Sequence, residues 1–323
     1  MNEFEIIRHY FQRLDEDASG DVILGIGDDA AVITIPSDQQ LVLCMDTLVN
    51  GVHFPEQTKP SDIAYKALAV NLSDMAAMGA EPRWITLSLT VPQYDPEWFE
   101  SFTNGLQQLA TQYQLSLVGG DLCRGPLSVT VQLQGLVPGT AGLQRAILTR
   151  AGAHAGDVIY VTGTLGGAAY ALKSILEPGK WSTPSSEEMN RLYRPEARVD
   201  TGKRLRSLAT SCIDISDGLQ SDLMHILSAS AVGAELEVEK LPYSNSLQAL
   251  KQDEALELAL TGGDDYELCF TLPEDTSASM LEELNKLCPI TRIGRVTAVD
   301  SQLLLKNRDG EDLALDAAGW RHF

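Results

Sequence analysis

Aspartate recurs in this chain beside glycine or serine, in short motifs: Gly25-Ile26-Gly27-Asp28-Asp29, Met45-Asp46-Thr47, Asn71-Leu72-Ser73-Asp74, Gly119-Gly120-Asp121, Ile213-Asp214-Ile215-Ser216-Asp217 and Gly262-Gly263-Asp264-Asp265. Asp28, Asp29, Asp46, Asp74, Asp121, Asp214 and Asp217 mostly follow apolar runs, as residues at strand ends do. A carboxylate in such a place is costly to desolvate unless it is paired or metal-bound. Lys and Arg are too sparse near these motifs to pair every acid. Hard divalent cations with oxygen ligands, Mg²⁺ above all, resolve the conflict.

Single residues have plainer readings. Asp28-Asp29 follows two glycines and suits a turn. Asp217-x-x-Gln220 has the form of a helix capping box. Asp74 falls on an apolar helix stripe with Ala67, Asn71 and Met78, where a buried Asp bonded to backbone is the ordinary alternative. Asp214 has no such excuse, and the set as a whole points to a metal site. Gly119-Gly120 lets backbone N–H groups approach a phosphate, with Asp121 holding the metal beside it. Arg150 is a candidate phosphate clamp, with a surface arginine as the plain alternative. His53, in Asn50-Gly51-Val52-His53-Phe54, is placed to meet a substrate.

Other chemistries lack their residues. No GxxxxGK[ST] occurs, Gly25-Ile26-Gly27 does not complete GxGxxG, and no GxSxG elbow is present. His9, His53, His154, His225 and His322 show no metal-ligand spacing. Glycines after the apolar run 158–162 read as close helix–strand packing rather than a nucleotide loop.

These residues require a scaffold of alternating elements. The sequence predicts a helix over 2–14, strands over 41–46, 85–91, 115–118 and 128–137, and helices over 61–78 and from Asp95 to 113. A Gly- and Ala-rich stretch over 138–156 marks a boundary. A strand over 157–163, a helix over 166–176, a loop over 177–186, helices near 196–209 and 218–229, strands near 234–238 and 266–272, and a helix near 275–287 follow. The fold class is α/β (α+β) in two domains, 1–140 and 141–323. The triplet GGD at 119–121 and 262–264 hints that the halves are related.

With 24 Lys+Arg against 45 Asp+Glu, the 323-residue chain carries a formal charge of −21. That argues against nucleic acid or anionic membrane as partner, and phosphates would be repelled unless metal ions supply positive charge. The balance of 44% hydrophobic and 21% charged residues belongs to a folded protein. Five scattered cysteines without a CxxC pair, no signal peptide and no apolar run of ~18 residues predict a cytoplasmic protein.

The ordered motifs GIGDDAAV, DTLVNGVHF, KALAVNLSDMAAMGAEP, GGDLCRGPLSVTV, LTRAGAHAGDVIYVTG, IDISDGLQSDL and GGDDYELCF together resemble the thiamine-monophosphate kinases of the AIR synthase (PurM-like) superfamily. The resemblance covers nearly the whole chain. It implies ATP- and Mg²⁺-dependent phosphorylation of thiamine phosphate to thiamine diphosphate, and a homodimer. It also implies a two-domain PurM-like architecture whose N-terminal α/β domain binds ATP and metal and dimerises, beside a C-terminal α/β domain. Carried over by residue, Asp28, Asp29, Asp46, Asp74, Asp121, Asp214 and Asp217 match metal-binding acids. Gly120, Asp121, Arg150 and Ser216 match positions around ATP; His53, Asp264 and Trp320 match positions lining the thiamine site. The chain departs from the family at Cys44-Met45, where Ser or Thr is usual, so that only the backbone carbonyl of Met45 is left as a ligand. It departs again at GGDD, where Asp264 is one methylene shorter than the usual Glu. Hydrogenase-maturation relatives end in a reactive Cys, whereas this chain ends Trp320-Arg321-His322-Phe323.

Overall fold

The computed structural model describes residues 1–14, 20–139, 147–299 and 301–313. By internal contacts the chain separates into two compact units, Met1–Met75 with Ala80–Ala146 and Ala76–Gly79 with Ile147–Phe323. No helix among the described residues is long and apolar enough to cross a membrane. All five cysteines are free.

The N-terminal unit begins with α1 (Glu3–Ile6), which continues as a π turn and a 3₁₀ turn to Leu14. The short strands β1 (Val22–Leu24) and β2 (Val32–Ile33) pair antiparallel. Its main sheet has the order β3-β6-β4-β5, from β3 (Gln39–Val49), β4 (Glu81–Val91), β5 (Ser116–Arg124) and β6 (Ser128–Pro138). Only the β4–β5 pair is parallel. It is joined by α3 (Pro96–Tyr113), which starts as its sequence predicts: Asp95 accepts hydrogen bonds from the N–H groups of Glu97 and Trp98, and Pro96 opens the first turn. A second long helix, α2 (Pro60–Ala77), lies against β3, where the Cys44 thiol donates to the Asn71 carbonyl at 3.4 Å.

The C-terminal unit is a seven-stranded sheet of order β13-β12-β9-β11-β7-β10-β8. Its strands are β7 (Val158–Thr162), β8 (Ser211–Asp214), β9 (Gly233–Glu237), β10 (Leu268–Leu272), β11 (Ile290–Thr297), β12 (Leu303–Lys306) and β13 (Asp312–Leu313). Around it run α4 (Gly167–Leu176), α5 (Ser186–Tyr193), α6 (Val199–Leu205), α7 (Leu219–Ser230), α8 (Gln252–Thr261) and α9 (Ala278–Leu287).

Several expectations need correction. Asp46 and Asp121 lie inside β3 and β5, not at strand ends, because both edge strands run well past their apolar runs. Helix α5 follows directly on the expected loop; a capping box formed by Ser185 and Glu188 starts it. Helix α8 and strands β11 to β13 were not foreseen. The two GGD triplets differ in context, one within β5 and one after α8, so they do not mark a repeat.

The C-terminal unit is organised around a buried ion cluster. Glu267 is 1% exposed. Its carboxylate accepts from Arg198 Nε and Nη2 at 2.7 Å each, from Thr162 Oγ1 at 2.6 Å and from Arg191 Nη1 at 3.3 Å. Burial works against the charge on Arg198, yet Glu267 more than offsets it, so the guanidinium holds its proton more tightly than usual. Removing Glu267 takes from two half-buried guanidiniums their shared buried partner and leaves them only the exposed Glu196 and Glu187. Glu267→Ala is therefore expected to destabilise the C-terminal unit by about 3–5 kcal/mol, read as a lowered urea midpoint for that unit. A midpoint within error of the parent protein would show the cluster to be energetically idle.

Candidate functional site

In the N-terminal unit, the loop between β1 and β2 carries Asp28 and Asp29, and the Asp29 N–H donates to Asp28 Oδ1 at 2.8 Å. This is the turn that two glycines and two aspartates foretell. Together with Gly119, Gly120 and Asp121 of β5, and with Phe4 and Ile7 near the N-terminus, the loop lines a cavity of about 560 Å³. Asp28, Asp29 and Asp121 are exposed there, and Cys123 donates its thiol proton to Asp121 Oδ2 at 3.0 Å. The glycine at 120 has a structural reason of its own: at φ +157°, a Cβ would run into the Leu87 carbonyl of β4. Close pairing of β5 on β4 thus requires Gly120 whether or not a phosphate approaches it.

The other acids of this unit form a separate group. Strand register sets Asp46 in a cross-strand row with Val131, Leu87 and Gly120, and Asp121 in the next row with Ser88, Thr130 and Thr47. Adjacent rows leave opposite faces of a sheet, so Asp46 points to the α2 side and Asp121 to the other. On the α2 side, Asp46 is hydrogen-bonded to Asp74. Burial raises the pKa of Asp46, partly offset by that hydrogen bond and by the charge of His53. Burial, then the charges of Asp74 and Asp46, push the Cys44 thiol far up as well. The adjacent Met45 side chain takes the outward face, 64% exposed.

His53 closes a turn after β3. Its Nδ1 accepts from the Val49 N–H at 2.9 Å. Below it, Lys66 of α2 is 2% exposed and donates to the His53 carbonyl at 3.2 Å. Sequence reasoning missed Lys66; a Lys one helical turn before Val70 and Asn71, on an otherwise apolar stretch, was the available signal.

In the C-terminal unit, Asp214 ends β8 and is buried, while Ser216 and Asp217 follow in a half-buried loop. The capping-box reading of Asp217 fails. The N-cap of α7 is Gly218, at φ +111°, and it makes no side-chain cap. A different acid, Asp222, reaches back from the first turn of α7 to accept the N–H groups of both Ser216 and Asp217 at 3.0 Å. Burial lifts its pKa to about 7, the two N–H bonds oppose this, and the charges of Asp214 and Asp217 add to it. The loop holding Asp264 is tied to the same segment, with the Asp264 N–H donating to the Ser216 carbonyl at 2.9 Å. Arg150 is exposed, and its carbonyl accepts from Ser230 Oγ at 3.2 Å. Trp320 lies outside the described residues.

No three of the described His, Cys, Asp and Glu side chains converge to hold an ion unaided. The donors fit Mg²⁺ in its usual mode, in which one or two carboxylates bind the ion and waters and substrate phosphates complete the shell. The Asp46–Asp74 pair is such a donor set. Two carboxylates sharing a desolvated hydrogen bond must keep a proton, or take a cation in its place.

Comparison with known proteins follows this geometry. Residues 27–137 match the family described as AIR synthase related protein, N-terminal domain, and residues 154–305 match its C-terminal domain. The thiamine-monophosphate kinase of Escherichia coli (strain K12) is 47% identical over 325 residues, covering 99% of this chain and 98% of the relative. The crystal structure of thiamine-monophosphate kinase from Stenotrophomonas maltophilia K279a superposes with a TM-score of 0.84 at 42% identity, covering 97% of this chain and 98% of the other. AaThiL complexed with AMPPCP and TMP gives a TM-score of 0.76 at 32% identity, covering 99% and 97%. The chain belongs to the AIR synthase related family and, within it, to the thiamine-monophosphate kinases.

Proposed function

We propose that this protein transfers the γ-phosphoryl group of ATP to thiamine phosphate, giving thiamine diphosphate. The observation that carries the reading is 47% identity over 99% of the chain to a thiamine-monophosphate kinase. A neighbour of the same fold is described in complex with AMPPCP and TMP. Incubation with Mg-ATP and thiamine phosphate, with chromatography for thiamine diphosphate, tests it directly. Turnover of ATP with some other acceptor would place the protein elsewhere in the family.

The chemistry asks little of a side-chain base. A phosphate monoester has a second pKa of about 6 and is largely dianionic at neutral pH, so the attacking oxygen needs no deprotonation. The barrier is repulsion between two polyphosphates, and in-line transfer requires alignment and charge compensation. Mg²⁺, when bound, supplies that positive charge. In an N-terminal domain taken as residues 1–140, Asp46 and Asp74 hold metal on the α2 side of the sheet. Asp28, Asp29 and Asp121 line the acidic cavity, with the Met45 carbonyl as a further ligand. Gly120 and Asp121 border the nucleotide. In a C-terminal domain taken as residues 141–323, Asp214 and Asp217 are assigned to metal, Ser216 and Arg150 to ATP. Arg150 screens phosphate charge. His53, Asp264 and Trp320 are assigned to thiamine phosphate.

The protein acts in the cytoplasm as a homodimer. The outward row of edge strand β3 sets Leu41, Leu43 and Met45 toward solvent, at 41%, 55% and 64% exposure. A second copy of the same row, met through a two-fold axis, would cover it. Leu43→Arg is expected to yield a monomer by light scattering, with the parent dimeric. A parent that is monomeric at micromolar concentration would remove the dimer from the reading.

Two further outcomes follow from the assigned acids. Asp74→Asn should reduce kcat by about a hundredfold or more, since losing a metal ligand costs several kcal/mol of transition-state stabilisation, while circular dichroism stays that of the parent. Near-parental turnover in the folded variant would remove Asp74 from the metal set. Mg-ATP at about a hundred times its Kd should stabilise the protein by about 2.7 kcal/mol, seen as a higher melting temperature. No shift under those conditions would count against a metal–nucleotide site.

A further inference from the structure

The loop from Gly262 to Glu267 holds two non-glycine residues with left-handed backbone, Asp264 at φ +70° and Tyr266 at φ +49°. That region is uncommon for any side chain and an outlier for a bulky one. It persists only where the surroundings over-determine it, most often at ligand sites. Here the surroundings are a backbone rail. The Asp264 N–H donates to the Ser216 carbonyl at 2.9 Å and the Tyr266 N–H to the Ile215 carbonyl at 2.8 Å. The Ile215 N–H donates in return to the Glu267 carbonyl at 2.8 Å.

Alternation of the two left-handed residues sorts the side chains. Asp265 is buried and its carboxylate accepts the Gly166 N–H at 2.9 and 3.0 Å. Glu267 is buried in the arginine cluster. Asp264 stays half-buried, and the Tyr266 hydroxyl donates to Asp264 Oδ1 at 3.0 Å. The tyrosine is 8% exposed, so packing fixes its ring and hence its hydroxyl.

We propose that Tyr266 is a positioning residue for thiamine phosphate: its hydroxyl holds the Asp264 carboxylate in one rotamer, ready for the flat, cationic ligand. The inference rests on the assignment of Asp264 to the thiamine site made above. A hydrogen bond to an ionised acceptor is stronger than a neutral one, and a carboxylate held in place before binding loses less rotamer freedom when the ligand arrives. The left-handed backbone at both residues brings a hydroxyl and a carboxylate two positions apart into contact. The rail to Ile215 and Ser216 uses main-chain atoms alone, so deleting the hydroxyl leaves it intact.

Tyr266→Phe keeps the ring and the backbone and removes only the donor. It is expected to raise the KM for thiamine phosphate roughly three- to tenfold, with kcat, the KM for ATP and the melting temperature within error of the parent. Asp264→Asn and the double variant complete a cycle. If Tyr266 acts through Asp264, its effect on KM vanishes in the Asp264→Asn background. The proposal is overturned if Tyr266→Phe leaves the thiamine phosphate KM unchanged, if its effect persists undiminished in the double variant, or if kcat and both KM values move together. An Asp264→Asn protein with a parental KM for thiamine phosphate would instead overturn the assignment of Asp264 itself, and the proposal with it. Titration of thiamine phosphate into each variant without ATP gives the same comparison as dissociation constants.

Discussion

A carboxylate withdrawn from water must find a cation, a row of N–H donors or a proton, and in this acidic chain that requirement decides much of the architecture. Glu267 finds cations: two guanidiniums close on it inside the C-terminal unit. Asp222 and Asp265 find N–H groups, from Ser216 and Asp217 in one case and Gly166 in the other. Asp46 and Asp74 find each other, through a shared hydrogen bond that needs one proton. The first two solutions close a network. In the third, a divalent ion could take the place of the proton.

The same requirement explains why the acids occupy sheet edges and loops. Strands β3 and β5 are the two edges of the N-terminal sheet, and Asp46 and Asp121 lie within them. At an edge, a side chain can be flanked by strand neighbours on one side and remain open on the other, so a carboxylate is only partly desolvated. Asp46 is half-buried against α2, while Asp121 reaches an open cavity from the opposite face. One sheet thereby presents acids on two faces, and these belong to different local environments despite their closeness in register.

In the C-terminal unit, backbone hydrogen bonds do what side chains do not. The segments Ile213–Asp217 and Gly262–Glu267 are laced by main-chain bonds between Ile215 or Ser216 and Asp264, Tyr266 or Glu267. Asp222 secures one of these segments and Asp265 the other. The loops bearing Ser216, Asp217 and Asp264 are thus held by acids whose own side chains point inward, and this fixes the backbone path on which the half-buried positions sit.

Much was legible from residue order alone. Asp95-Pro96 announced α3 because capping is a local event between neighbours, and the strands β3 to β6 showed as apolar runs. The acidic motifs and their kinship could be read without coordinates, since they depend on residue types and order. What depended on contacts between distant segments could not. Asp217 carries a capping pattern, yet Gly218 takes the cap and Asp222 turns back on the loop. Helix α8 and strands β11 to β13 have weak local signals and exist through pairing and packing. The burial of Lys66, the pairing of Asp46 with Asp74, the opposite facing of Asp121 and the left-handed turn that joins Tyr266 to Asp264 were decided only by the tertiary structure. Desolvation, strand register and main-chain lacing are set by neighbours dozens of residues away, and no local pattern in the sequence encodes them.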